Sequence, residues 1–334
     1  MRPDSPDFLY VHRSLEPEAR LRDFLHGLEF YQDETELFPG VPRAVSRKNS
    51  FLKPYVYGTG VIDRRQHVLR ISQACPCDCL YCYIKAVYPD TPPYFFYNLS
   101  DLYHEIHELT AIEQSPYLNA GENADSFAFD GQSCLSLLLS QIAMDFPQIT
   151  LELRTKIPSR VNPGFLKQKA PANMLIAVSL NPEEIIGEYE SGTDLLDSRI
   201  SGLKDISRAG YRIAIRLDPM VYSADFEKNY GKLLEKLKGE FSAGCFSNIQ
   251  LGCLRFTKEQ SRLLRATGFG VRGTGQSAIA SELLAEEMIL STDGHWRYFV
   301  EIRKKMYKFM LDGLKHFDCP KSLSNETAKC QSTL

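Results

Sequence analysis

Val68-Leu-Arg-Ile-Ser-Gln73 is a short apolar, β-branched run that leads through Ala74 into Cys75-Pro-Cys-Asp-Cys79-Leu-Tyr-Cys82-Tyr83. The first stretch predicts a strand. The second is a C-x3-C-x2-C thiol cluster with an aromatic residue just before its last cysteine. In β/α folds the reactive groups sit on loops at the carboxyl ends of the strands, and this cluster has that position. Three thiolates on one short loop can hold three irons of a [4Fe-4S] cluster and leave the fourth iron open to a ligand, with Cys75, Cys79 and Cys82 as the metal ligands. A structural zinc site would need a fourth ligand and usually a second C-x2-C knuckle downstream. No such knuckle follows, and Cys77 alternates too tightly with its neighbours for an easy tetrahedron. A reactive-thiol loop unrelated to metal is the remaining alternative.

Composition frames that motif. The chain has 334 residues, 43% of them hydrophobic and 24% charged, which belongs to a packed globular protein rather than a disordered one. Nine cysteines form an odd set, scattered outside the cluster, in a chain too long for a disulfide scaffold. The first residues, Met1-Arg-Pro-Asp-Ser-Pro-Asp7, are polar and carry no export signal. No run approaches the roughly 18 apolar residues that cross a bilayer. The expectation is a cytoplasmic protein without membrane association. With 39 Lys+Arg against 42 Asp+Glu the formal charge is -3, which gives no general attraction to nucleic acid.

Beyond the cluster, five further strands are predicted: Ser126–Phe129, Ile149–Arg154, Met174–Leu180, Arg212–Leu217 and Asn248–Leu254. Helical patterns alternate with them, from Ser100 to Glu113 and then over Leu135–Met144, Pro163–Gln168, Thr193–Ala209, Phe226–Leu237 and Lys258–Ala266. Six β-then-α units imply parallel strands. The predicted class is α/β, a partial (β/α)6 barrel with extensions at both ends, since a full barrel needs eight units. We divide the chain into an N-terminal extension (1–67) with a short helix at Glu18–Leu28, a barrel (68–266), a C-terminal helical region (267–318) with helices near Ser281–Leu290 and His295–His316, and a mobile tail (319–334). His104 and His107 read as a solvated helix face, and Gly270–Gly275 as a mobile turn.

With these motifs in place the chain resembles the radical S-adenosylmethionine superfamily, and within it the spore photoproduct lyase family, from about residue 50 to 318. The matching stretches are Cys79-Leu-Tyr-Cys-Tyr83, Pro93-Tyr-Phe-Phe-Tyr-Asn-Leu-Ser100, Arg154-Thr-Lys156, Val178-Ser-Leu-Asn181, Glu188-Tyr-Glu-Ser-Gly-Thr193, Ala209-Gly-Tyr-Arg212 and Leu254-Arg-Phe-Thr-Lys258. The resemblance implies a [4Fe-4S] cluster that passes one electron to S-adenosylmethionine, giving methionine and a 5'-deoxyadenosyl radical that abstracts hydrogen from substrate. An external one-electron donor such as flavodoxin or ferredoxin goes with that chemistry.

The resemblance also implies roles. Tyr81 would lie against the adenine, or else be an ordinary core aromatic. Gly131 and Ser133, in Asp130-Gly-Gln-Ser133, would form the turn that receives the cofactor's amino group, against a plain turn. Lys156 or Arg216 would meet the methionine carboxylate, Arg216 by a bidentate pair. Ser179 and Asn181 would bond the ribose hydroxyls, with helix capping the alternative for Asn181. Tyr83 matches a family tyrosine near the radical path.

Two departures from the family pattern shape the expected substrate. A family cysteine on the loop after the second strand gives hydrogen to the substrate radical, and Gly131 occupies the matching position. Cys134, Cys253 and Cys245 become alternative donors, each equally well a buried structural cysteine. The segment after Gly268, basic and aromatic where the family engages DNA, here reads Phe269-Gly-Val-Arg-Gly-Thr-Gly-Gln-Ser with little positive charge. The expectation is therefore a small-molecule substrate, a nucleoside or sugar, undergoing epimerisation, lysis or another hydrogen transfer, with DNA an unlikely partner. Lyase repair of a thymine dimer in DNA is the alternative, and a non-catalytic iron-sulfur electron carrier or sensor is the alternative from another class.

Overall fold

In the computed structural model, residues 43–45, 47–89, 91–96, 98–267 and 287–331 are described. The predicted helix Glu18–Leu28 and the Gly270–Gly275 turn lie outside them. The centre is one eight-stranded sheet: β1 (Leu52–Pro54), β2 (His67–Leu69), β3 (Tyr117–Asn119), β4 (Thr150–Thr155), β5 (Met174–Ser179), β6 (Arg212–Met220), β7 (Phe246–Cys253) and β8 (Lys321–Leu323). Neighbours in space follow neighbours in sequence, β1 to β8, and every pair is parallel except antiparallel β1–β2. No pairing closes β8 onto β1 among the described residues. Six consecutive parallel strands, β2 to β7, with helical crossovers make the partial barrel that the β/α count predicts.

The crossovers are α1 (Leu99–Ile112), α2 (Leu135–Asp145), α3 (Pro163–Lys167), α4 (Glu183–Tyr189), α5 (Leu196–Arg208) and α6 (Phe226–Glu240), with α7 (Lys258–Thr267) and α8 (Val300–Gly313) beyond the sixth parallel strand. Met174-Leu-Ile-Ala-Val178 of β5 is buried at every position. Such an unbroken apolar run belongs to a parallel strand covered on both faces. Helix α5 buries Leu196, Ile200, Leu203 and Ile206, spaced three or four apart, and with them one charged residue, Arg199. His104 and His107 are exposed on α1.

Four expectations are corrected. The strand predicted at Ser126–Phe129 is β3, at Tyr117–Asn119, nine residues earlier. Phe127 and Phe129 are buried, but by packing in a turn rather than by strand pairing. Met288–Leu290 and His295–Tyr298 are not helical: they form an antiparallel ribbon with Arg255–Thr257. Residues 43–67 supply β1 to the main sheet, so the N-terminal part is woven into the barrel. The predicted mobile tail docks, since Lys321–Leu323 is β8 and Glu326–Thr327 pairs with Val61–Ile62. No helix among the described residues is long and apolar enough to cross a membrane.

The tail is held by charge as well as by pairing. Arg303 on α8 donates to Glu326 Oε2 at 3.1 Å, both side chains are buried, and Tyr307 donates to the same oxygen at 3.0 Å. Removing one partner of such a pair strands a buried charge. Glu326→Ala is expected to destabilise the fold by about 3–5 kcal/mol, read as a lower midpoint in urea denaturation. An unchanged midpoint would separate the tail from the folding unit.

Candidate active site

The cysteine loop and the carboxyl ends of β4 and β5 meet at a cavity of about 470 Å3. Cys75, Cys77, Cys79, Tyr81, Cys82, Tyr83, Lys156 and Ser179 all line it. All nine cysteines are free. The loop is pinned from the far side of the barrel, where Cys79 pairs with Glu190 in a two-residue antiparallel ribbon and Leu80 N donates to Tyr189 O at 2.8 Å. Asp125 N donates to the Cys75 sulfur at 3.4 Å.

The donor set fits an iron-sulfur cluster, because four soft thiols line one cavity, three of them in the C-x3-C-x2-C spacing, and no imidazole comes from their own loop. Among the described residues no three or more His, Cys, Asp or Glu side chains are drawn together as a single-ion site. Burial pushes the Cys82 thiol up to about 11 and raises Cys79, with Glu190 adding to the latter. A bound metal deprotonates a coordinating thiol outright. Hydrogen bonding between the Cys77 and Cys75 thiols lowers Cys75 and raises Cys77.

Lys156 follows β4 with its ammonium 5.9 Å from the centre of the Tyr81 ring. Burial alone would depress it, but Glu190 and Cys79 outweigh that effect and raise its pKa. It presents a firm positive charge to the cavity beside the thiols. Tyr81, 7% exposed, donates to Glu190 Oε1, so its ring is fixed in place. Tyr83 donates its hydroxyl to the Glu122 backbone carbonyl.

Other predicted residues lie elsewhere. Gly131 and Ser133 belong to a helical turn, Asp130–Ser133, outside the cavity lining; the Ser133 hydroxyl donates to Phe129 O at 2.8 Å. Nearby Asp130 accepts from Ser136 N and Asn162 N, which makes the turn a structural brace. Asn181 is buried, donating to Glu190 Oε1 at 2.8 Å and Pro219 O at 3.1 Å and accepting from Tyr230 at 2.8 Å. It caps no helix and is not among the residues that line the cavity. Arg216 is buried inside the barrel against Glu152 (2.7 Å) and Asn248 (2.7 Å), at a second cavity of about 440 Å3. Its charge is already spent.

None of the three alternative donor cysteines reaches the site. Cys134 is buried beneath Asn162, Cys253 packs 3.8 Å from the Met306 sulfur, and Cys245 precedes β7 at the amino end of that strand. Because β3 ends at Asn119, the loop after the second parallel strand is the one that lines the cavity, Gly121 to Asp125, and it holds no cysteine. Gly131 is therefore not the position to compare. A Cβ on Gly121 would stand 2.3 Å from Arg154 Cβ, so only glycine lets this loop lie on β4. Glu122, next in the chain, is held by Arg154 Nη1 at 2.9 Å and Asn119 Nδ2 at 2.7 Å.

Sequence reasoning missed Asp125, Glu190 and Arg199. Asp125 accepts from Lys156 N at 2.5 Å and Phe127 N at 3.0 Å, tying the cysteine-facing loop to β4. Glu190 and Arg199 form a fully buried pair at 2.5 Å, and Arg199 also donates to Ser179 O at 2.9 Å. Opposite charges in the matching stretch around Glu190 and on α5 were the available signal.

The comparisons with known proteins agree with this geometry. A family model described as spore photoproduct lyase matches residues 64–268. Spore photoproduct lyases of Geobacillus sp. (strain Y412MC61) and Bacillus subtilis (strain 168) are 22% identical over 204 residues and 23% over 203. Each match covers 60% of this chain and 59% of the relative, so it spans less than two thirds of the relatives' length. Among solved structures, a spore photoproduct lyase complexed with dinucleoside spore photoproduct superposes with a TM-score of 0.68 at 16% identity, covering 92% of this chain and 85% of that one. A mutant lyase with bound AdoMet and dinucleoside spore photoproduct gives 0.66 at 18%, over 78% and 76%. These superpositions establish a shared fold.

The Glu190 carboxylate is the testable centre of the site. Burial would raise its pKa, but Arg199 and Lys156 outweigh burial and lower it. Its contribution to stability is therefore present above the ordinary carboxylate pKa of about 4.3 and is lost as pH falls through the depressed value. Glu190→Gln is expected to destabilise by about 3 kcal/mol at neutral pH, with the difference from wild type shrinking in acid. Urea denaturation at a series of pH values checks it.

Proposed function

The chain belongs to the spore photoproduct lyase family, and on that footing we propose that it is a radical S-adenosylmethionine enzyme that cleaves a thymine photoproduct in DNA. The small-molecule substrate expected from the sequence is overturned: the family model and both curated relatives are those of a photoproduct lyase. The weak-charge argument rested on the segment after Gly268, which lies outside the described residues up to 287. Elsewhere the chain has a local basic stretch. Residues 43–70 contain Arg43, Arg47, Lys48, Lys53, Arg64, Arg65 and Arg70 against the single acid Asp63. Lys48, Lys53, Arg64 and Arg65 are exposed, and Arg70 lines the cavity. Phosphate contacts dominate DNA affinity, and the exposed basic residues of this stretch support that reading.

The observation that carries the proposal is the convergence of Cys75, Cys79, Cys82, Tyr81 and Lys156 on one cavity at the carboxyl ends of parallel strands. When bound, the cluster and S-adenosylmethionine supply reductive cleavage of the sulfonium and hydrogen abstraction from substrate. Cys75, Cys79 and Cys82 would hold the cluster. Lys156 would pair with the methionine carboxylate, Tyr81 would pack against the adenine, and Ser179 would meet the ribose. Tyr83 stands between the cysteine loop and the Glu122 loop, where cofactor and substrate would meet. The electron comes from an external donor of the flavodoxin or ferredoxin kind. The nine free thiols support a cytoplasmic setting.

Anaerobic reconstitution is expected to give an iron-sulfur absorbance that Cys79→Ala abolishes. With dithionite and S-adenosylmethionine the protein should release 5'-deoxyadenosine, and with a dinucleoside spore photoproduct it should return the undamaged dinucleoside. Release of 5'-deoxyadenosine without any photoproduct cleavage would overturn the substrate. Lys156→Met removes a charge-assisted hydrogen bond of about 1.5–3 kcal/mol. It should raise KM for S-adenosylmethionine about 10- to 150-fold while the cluster absorbance stays intact.

A further inference from the structure

The ribbon that follows α7 brings one more titratable side chain into the cavity, His295. Its turn is built for one purpose. Gly294 has φ +84°, in the left-handed region, and donates its N–H to Ser291 O at 3.0 Å, which folds Asp293 back under the histidine. The Asp293 carboxylate is fully buried and meets His295 Nδ1 at 3.1 Å. It also accepts from Arg297 Nη2 at 2.5 Å and Nε at 3.1 Å. Gly58 closes over it, since a Cβ there would lie 2.9 Å from Asp293 Cβ.

This arrangement fixes the imidazole. Burial would raise Asp293, but Arg297 and His295 outweigh it and hold the carboxyl at about 2, so Asp293 is an acceptor and Nδ1 carries the proton. The other nitrogen, Nε2, has no hydrogen bond among the described residues, while the ring is about one-third exposed and lines the cavity. The charged groups around the ring are Asp293 and Arg297 on its own ribbon and Arg255 on the neighbouring strand, Arg255 being paired with Asp218 at 2.9 Å. Burial lowers the imidazole pKa, Asp293 opposes that, and Arg297 and Arg255 add to it, for a net fall. The ring is a neutral acceptor at neutral pH. Its surroundings in the cavity, Arg255 with Asp218 and Arg154 with Glu122, are charges already paired with each other.

We propose that His295 is a substrate-binding residue whose Nε2 accepts a hydrogen bond from the imide N–H of the pyrimidine lesion. The inference rests on the lyase function above. Within a DNA strand the sugar hydroxyls are esterified, and a thymine-type base offers one donor, its imide N–H. A fixed acceptor on the cavity wall answers that donor and stays silent toward a base that lacks it.

The test compares wild type, His295→Ala and His295→Gln on dinucleoside spore photoproduct and on its imide N-methylated analogue, across pH. Release of 5'-deoxyadenosine without substrate serves as the control for intact radical machinery. His295→Ala is expected to raise KM about three- to tenfold with kcat little changed, the size of one neutral hydrogen bond. Protonated Nε2 cannot accept, so wild-type kcat/KM should fall as pH drops through the imidazole pKa. His295→Ala should lack that limb, and His295→Gln, whose amide oxygen accepts at any pH, should recover KM without it. N-methylation should cost the wild type the same factor and His295→Ala nothing. An equal penalty for N-methylation in wild type and His295→Ala, or an unchanged acid limb in His295→Ala, overturns the inference while leaving the lyase function standing. A wild type that cleaves S-adenosylmethionine but not the photoproduct overturns both.

Discussion

Glu190 and Arg199 form the contact on which the site depends. Both are removed from water, and their attraction must repay a large desolvation cost. It does so because the hydrogen-bonding capacity around them is filled. Arg199 spends its donors on Glu190, Thr193, Asp194 O and Ser179 O, while Glu190 also accepts from Tyr81 and Asn181. One buried pair therefore joins the end of β5, the link from α4 to α5 and the cysteine loop. An apolar pair of equal volume could match its stability. It could not hold the Tyr81 hydroxyl or set the register of Cys79 opposite Glu190.

A second set of charges fills the barrel interior. Glu152 on β4 lies between Arg154 and Arg216 and accepts from Tyr117, so its carboxyl is held far below the usual range despite complete burial. Arg154 lines both cavities and reaches from Glu152 to Glu122. The interior network thus sets the position of the loop opposite the thiols. With Gly121 pressed on Arg154, that loop has little freedom to shift a cysteine from elsewhere into the site. Cys134 illustrates the limit: twelve residues after Glu122, it is buried beneath Asn162 and does not reach the cavity.

What could be read from the chain follows from how local each signal is. Strand β5 is a buried apolar run, and β4, β6 and β7 carry buried apolar residues at alternate positions, so their periodicity marks them. The cluster ligands lie within eight residues of each other, so their spacing alone brings them together. β3 carries no such signal, for Tyr117-Leu-Asn119 is three residues long and its outer members serve polar networks. The nearby Phe127 and Phe129 mimic a strand because packing in a turn buries aromatics as well as a sheet does. Misplacing that strand by nine residues moved the expected cofactor turn to Gly131 and Ser133 and hid Glu122 and Asp125. Glu326 made the tail look solvated, yet Arg303, 23 residues earlier, buries it. Asp125, the Glu190–Arg199 pair and His295 come from three separate parts of the chain, and only the topology assembles them.

Net charge is a poor guide to local charge for a related reason. A formal charge of -3 is a sum over the whole chain, whereas at physiological ionic strength charges interact over only about 8 Å. Acids on the outer faces of α4 and α6 count equally in that sum and are far beyond that range from most of the surface. The relevant quantity is the local balance, and residues 43–70 hold seven basic residues and one acid in sequence. β1 and β2 belong to that stretch and form one margin of the sheet. The strands that begin the barrel therefore lie in a basic stretch of a chain that is acidic overall, and from that stretch Arg70 reaches the cavity lining.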